Sequence, residues 1–180
     1  MRKLVYLISP LKINKNFYKK LDRVLSFGNS AYFQLRLKNT NKSNVLRIAR
    51  KILKITKKYK VKLIINDDYK LSLKVKADGC HLGQLDGSIK VARKKLRKKI
   101  LGVTCHNSKL FAKNAIREKA DYLAFGSFYK SKLKPKSVKA KLSILKWSTK
   151  NFKKPIVAIG GINDSNYKIL IRTGAKYIAI

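Results

Sequence analysis

Val61-Lys62-Leu63-Ile64-Ile65-Asn66-Asp67-Asp68-Tyr69-Lys70-Leu71-Ser72-Leu73-Lys74-Val75-Lys76-Ala77-Asp78-Gly79-Cys80-His81-Leu82-Gly83-Gln84-Leu85-Asp86 carries the reading of the whole chain. An apolar run, Val61 to Ile65, empties into an amide and two acids. A short helical stretch, about Tyr69 to Lys76, follows, and a second run, Gly79 to Leu82, ends in glycines and another acid. Strand, helix and strand in such close succession form the βαβ unit of a parallel sheet.

Outward from this segment the alternation continues. Further strands are expected over Lys3 to Ile8, Ala31 to Leu37, Ile100 to Thr104, Tyr122 to Gly126, Ile156 to Gly160 and Tyr177 to Ile180, which makes eight in all. Seven helical patterns fill the gaps, as in Val45, Leu46, Ile48, Ala49, Ile52, Leu53 and Ile55, where spacings of three and four mark one buried face. A doubly wound open sheet needs a long crossover, and the chain has none, so the even spacing predicts a closed (β/α)8 TIM barrel. In the second strand Phe33, Leu35 and Leu37 alternate with Gln34, Arg36 and Lys38. The apolar set then faces the helices, and the polar set points toward the mouth where such barrels keep their sites.

The 180 residues, 45% of them hydrophobic, suit a single domain, 1–180, with a real core. No apolar run approaches the roughly 20 residues of a membrane helix. The opening strand meets Ser9-Pro10 too soon for a signal peptide, so a cytoplasmic location and no membrane partner are expected. Two cysteines are too few for a disulfide scaffold. The net charge of +37 suits anionic partners, but it comes from lysines spread over almost every segment, without the clustered basic face of a nucleic-acid binder. No nucleic-acid partner is expected. Typical barrels run to about 250 residues and close with an eighth helix. Here the last residue, Ile180, falls inside the eighth strand, so that helix is expected to be lacking. Apolar surface left uncovered there would lie bare or be covered in a homo-oligomer.

Four of only eight acids, Asp67, Asp68, Asp78 and Asp86, fall in the opening segment. Carboxylates at two neighbouring strand ends, near Arg36 and Lys38, either pair with those cations or hold Mg2+, which takes one or two carboxylates together with substrate phosphate oxygens. The Cys80-His81 and Cys105-His106 pairs tempt a zinc reading, but consecutive strand side chains point to opposite faces. The cysteines read as buried hydrophobes, and His81 as either a site residue or a hydrogen-bonded structural one. Gly160-Gly161, before a helix capped by Asp164 or Asn163, would let backbone amides approach an anion.

Six pieces in order carry a resemblance: Gln34-Leu35-Arg36-Leu37-Lys38, Ile65-Asn66-Asp67-Asp68, Ala77 to Asp86, Gly102-Val103-Thr104-Cys105-His106, Ala120 to Gly126 and Ile156 to Ile162. Together, and especially in the His-x-Gly-Gln-x-Asp segment, the chain resembles the thiamine-phosphate synthase family over nearly its whole length. The resemblance implies a barrel enzyme that joins hydroxymethylpyrimidine diphosphate to a thiazole phosphate, giving thiamine monophosphate and diphosphate with Mg2+ as cofactor. It implies Asp67 and Asp86 as metal ligands, and Arg36, Lys38, Thr104 and Lys134 as the groups acting on the diphosphate. Asn66 joins them there, Gln34 would hold the pyrimidine, and His81 and Ser131 complete the substrate contacts. Gly160 and Gly161 would receive the thiazole phosphate.

Departures from the family pattern accompany these matches. The family tends to show Thr-x-Thr-Lys after strand six, where this chain reads Ser131-Lys132-Leu133-Lys134, and the phosphate loop beyond strand eight has no counterpart after Ile180. Two other readings follow from these differences. One is a thiazole tautomerase of the same superfamily, and the other is a catalytically impaired thiazole-phosphate-binding regulatory protein.

Overall fold

A computed structural model describes residues 3–130 and 138–180 of the chain. Eight parallel strands pair in sequence order and close on themselves. They are β1 (Val5–Ile8), β2 (Ser30–Leu35), β3 (Lys62–Asn66), β4 (Gly79–Leu82), β5 (Ile100–His106), β6 (Tyr122–Gly126), β7 (Ile156–Ile159) and β8 (Tyr177–Ala179). Between them run α1 (Lys15–Ser26), α2 (Lys42–Lys58), α3 (Tyr69–Val75), α4 (Ile89–Leu96), α5 (Lys109–Arg117), α6 (Leu142–Asn151) and α7 (Tyr167–Arg172). Closure is made by β1 against β8, with Val5 opposite Ile178 and Tyr6 opposite Ala179. Among the described residues no helix is long and apolar enough to cross a membrane.

The first five helices, α1 to α5, start on short polar side chains that compete with the backbone elsewhere but satisfy orphan amides here. Asn14, Asn41, Asp68, Ser88 and Ser108 each accept a hydrogen bond from the amide three residues on. Asp78 and Asp121 repeat a different device. Each stands just before a strand, takes the amide of the preceding strand's Leu63 or Leu101, and pairs with Lys62 or Arg93.

Apolar side chains alternate out of the strands into two clusters beneath the helices. Phe33, Leu35, Leu63 and Ile65 meet α1 and α2, while Cys80, Leu82, Val103, Cys105, Leu123, Phe125 and Ala158 meet the later helices. The cysteines thus lie in the outer core, as the alternation predicts. The barrel interior is aromatic: Tyr6, Tyr32, Tyr122 and Tyr177 stack edge to face or tilted, with centroids 5.1–5.7 Å apart.

Strand ends differ from the sequence reading where side chains intervene. β2 stops at Leu35, two residues early, because Ser9 replaces the ladder beyond it. β5 runs on to His106 through a register shift between Thr104 and His106. Asp78 sits at the amino end of β4, opposite the mouth, and Asp68 caps α3 and pairs with Lys42. Only Asp67 and Asp86 of the four clustered acids remain for the mouth.

Room for the phenols comes from interior glycine. A Cβ on Gly102 would lie 1.9 Å from Cζ of Tyr122. Replacing Gly102 with alanine should therefore expel that ring and lower stability by about 1–3 kcal/mol, as overpacking does, read as a reduced midpoint in urea unfolding.

Candidate active site

The carboxyl ends of the strands form one ring, and most of the residues picked out in the sequence converge on it. Gln34 projects inward from β2 and is buried. Just past the end of that strand, Ser9 carries the backbone pairing forward. Its amide donates to the Gln34 carbonyl at 2.9 Å, its hydroxyl accepts the Arg36 amide at 2.9 Å and donates to the Arg36 carbonyl at 3.3 Å. Arg36 is thereby held at the rim. Sequence reasoning missed Ser9, whose only signal was a serine at the end of an apolar run.

From β3, Asn66 ends the strand and Asp67 turns out of it in the left-handed region, at φ 66°, which an aspartate tolerates better than most residues. The Asp67 amide donates to the His81 carbonyl at 2.8 Å, tying the turn to β4. Asp86 is fixed from the other side, where Oδ2 accepts the Gly83 amide at 2.7 Å. A side chain at position 83 would crowd that oxygen.

The two carboxyls meet. Burial pushes Asp67 up to about 6, a hydrogen bond to Asp86 and its charge add to the rise, and Lys38 and Arg36 oppose it. Each carboxylate raises the cost of ionising the other in a half-buried site, and a divalent cation would relieve that repulsion. The donors are hard oxygens, and no cluster of three or more His, Cys, Asp or Glu occurs among the described residues. That set fits Mg2+, which completes its octahedron with water and phosphate oxygens, and does not fit a dedicated all-protein cage.

His81 lies deeper. Its Nδ1 is 2.9 Å from the Tyr122 hydroxyl and its Nε2 is 2.7 Å from the Thr104 hydroxyl. Burial pushes its pKa down to about 4 against a smaller opposing effect of the Asp86 charge, so the ring is neutral at pH 7. With both nitrogens engaged inside the barrel, His81 supports Thr104, which is the hydrogen-bonded structural role that the sequence offered beside a site role. Gln84 also braces that strand end by donating to the Thr104 carbonyl.

Across the ring, Gly160 and Gly161 adopt φ values of 103° and 62° after β7. A Cβ on Gly160 would lie 1.9 Å from the Ser127 hydroxyl oxygen, and one on Gly161 would lie 2.4 Å from the Lys130 carbonyl. The turn is braced by the Tyr129 amide donating to the Gly160 carbonyl at 3.0 Å and by Asn166 Nδ2 donating to the Gly161 carbonyl at 3.1 Å. The helix cap differs from the sequence reading. Asn166 occupies that position, whereas Asn163 accepts from the amides of Ser165 and Asn166 and Asp164 is exposed. Ser131 and Lys134 lie outside the described residues.

Comparison with known proteins gives a consistent result. Residues 5–180 match the family model described as thiamine monophosphate synthase. The chain is 54% identical over 180 residues to the thiamine-phosphate synthase of Pelagibacter ubique, covering 99% of this chain and 87% of that one. It is 40% identical over 181 residues to the enzyme of the same name from Erythrobacter litoralis, covering 98% and 85%. Its fold superposes on thiamine phosphate pyrophosphorylase from Pyrococcus furiosus with a TM-score of 0.88 at 29% identity, covering 99% and 85%.

The glycine turn makes its own prediction. Gly160→Ala should displace Ser127 and strain the positive φ, costing about 1–3 kcal/mol and lowering the melting temperature, with Gly28→Ala, whose Cβ meets nothing within 4 Å, as the strain-only control.

Proposed function

This chain belongs to the thiamine monophosphate synthase family, and from that premise we propose that it transfers the hydroxymethylpyrimidine group from its diphosphate to a thiazole phosphate. The products are thiamine monophosphate and diphosphate. The observation that carries this reading is the half-buried Asp67 and Asp86 pair facing Arg36 and Lys38: carboxylates and cations share one site, as a metal-bound diphosphate requires.

The reaction breaks the bond between the pyrimidine's methylene carbon and the bridging diphosphate oxygen, and the bonding pair leaves with diphosphate. The thiazole nitrogen supplies the pair for the new carbon–nitrogen bond and ends as the cationic nitrogen of the product. No proton has to move. The chain's task is to stabilise negative charge growing on the leaving oxygens and to hold the nucleophile in line. Arg36 and Lys38 are assigned to those oxygens, with Asn66 beside them, and the Thr104 hydroxyl approaches from β5. Asp67 and Asp86 would hold Mg2+, which when bound supplies Lewis-acid stabilisation of the same charge. Gln34 is assigned to the pyrimidine and the amides around Gly160 and Gly161 to the thiazole phosphate. Lys134 and Ser131 keep the diphosphate and substrate roles that the family resemblance implies. The reading makes the chain a cytoplasmic biosynthetic enzyme whose partners are small phosphorylated molecules.

Incubation with the two substrates should yield thiamine monophosphate with Mg2+ and none after chelation. Asp86→Ala should lower kcat/KM by at least about 100-fold, the scale of losing a principal source of charge stabilisation, while the thermal midpoint changes little. Undiminished turnover in that variant would remove the assignment. Isomerisation of a thiazole phosphate without metal would place the chain with the tautomerases instead.

A further inference from the structure

A line of hydrogen bonds crosses the barrel interior beneath the mouth. Gln34 Nε2 donates to the Tyr6 hydroxyl at 3.1 Å, the Tyr6 and Tyr122 hydroxyls are 2.6 Å apart, Tyr122 meets His81 Nδ1 at 2.9 Å, and His81 Nε2 meets the Thr104 hydroxyl at 2.7 Å. Five strands contribute to it: β2, β1, β6, β4 and β5. Tyr6 and Tyr122 are fully enclosed. We propose that this chain has one polarity, running from Gln34 to Thr104, and that it fixes the Thr104 hydroxyl as a hydrogen-bond donor toward the departing diphosphate, with Tyr122 and His81 as positioning residues. The last clause rests on the reaction assigned above.

The polarity follows from counting hydrogens. An amide nitrogen only donates, so Tyr6 accepts from Gln34 and keeps one hydrogen to give. Its other polar neighbour is Tyr122, which therefore accepts and gives its own hydrogen to His81 Nδ1. A neutral imidazole that accepts at Nδ1 carries its proton on Nε2 and donates to Thr104. The Thr104 hydroxyl, engaged as an acceptor, has one hydrogen left and no other partner among the described residues. It stands half-exposed at the carboxyl end of β5, where a ligand oxygen can take it. Reversing the chain would aim the Tyr6 hydroxyl hydrogen at the Gln34 amino group and strand a donor in a closed core, which is costly.

The consequence is preorganisation. A free threonine hydroxyl rotates and can offer lone pairs to the leaving oxygen, which repel the charge that grows there. One that accepts from His81 keeps its hydrogen free to donate, and such a contact strengthens toward the transition state without reorganising. The neighbouring residues serve the same end. Gly102 leaves the space that the Tyr122 phenol occupies, and the His81 ring lies nearly parallel to it, at 17°.

The decisive measurement is the tautomer of His81 in the substrate-free protein by nitrogen-15 NMR of histidine-labelled chain. With two histidines in the sequence the spectrum is simple, and His81→Gln assigns the signal. The expected form carries the proton on Nε2, and a proton on Nδ1 would overturn the proposal. This readout needs no turnover, so it stands apart from failure of the assigned reaction. Kinetics test the second clause. Thr104→Val should lower kcat about 100-fold and Thr104→Ser should largely restore it. Tyr122→Phe should lower kcat roughly tenfold with little change in KM, and should cost nothing further in the Thr104→Val background. Additive losses would make Tyr122 merely structural and overturn its positioning role. Should Tyr122→Phe not fold, the wild-type tautomer still decides the polarity.

Discussion

Closure of the sheet is the constraint from which the rest follows. Once β8 pairs with β1, all eight strands run the same way around one axis, and their carboxyl ends have nowhere to go but a single ring. Residues far apart in the chain, such as Gln34, Asp67, Asp86, Thr104 and Gly160, then come to stand around the same mouth. Because inward and outward positions alternate, each strand contributes only one or two side chains to that mouth.

The interior beneath the mouth solves a packing problem with polar groups. Four tyrosines fill the barrel, and glycine and alanine on facing strands, including Gly102, Ala124 and Ala179, give them space. Burying phenols is favourable when each hydroxyl finds a partner. Tyr6 and Tyr122 find each other, then Gln34 and His81. The same bonds that make the filling tolerable also link the floor of the barrel to Thr104 at its rim.

The charge balance sharpens the role of the two mouth acids. With 45 basic and 8 acidic residues, a carboxylate here has cations on every side. Asp22, Asp68, Asp78, Asp121 and Glu118 each sit in an ion pair. Asp67 and Asp86 instead face one another, although Arg36 and Lys38 are close enough to pull on Asp67. Two like charges set side by side amid such a surplus of lysine are poorly explained by folding, and their hard oxygens suit a divalent cation.

Much of this was legible in the chain because the information is local. Alternation of period two in Phe33, Gln34 and Leu35 and spacings of three and four in α2 decide element type. The even succession of eight strands decides the barrel, and the apolar-to-acid endings of β3 and β4 mark the mouth. What residue types alone could not separate was which acid does what. Asp68 and Asp78 look no different from Asp67 and Asp86 in sequence, yet one caps a helix and the other braces the opposite end of the barrel. Ser9 as the anchor of Arg36, and the path from Gln34 through two phenols and an imidazole to Thr104, depend on contacts between residues as many as 116 positions apart. Such pairings exist only once the sheet has closed, because hydrogen bonds depend on distance and angle in space, and local sequence patterns encode neither across a barrel.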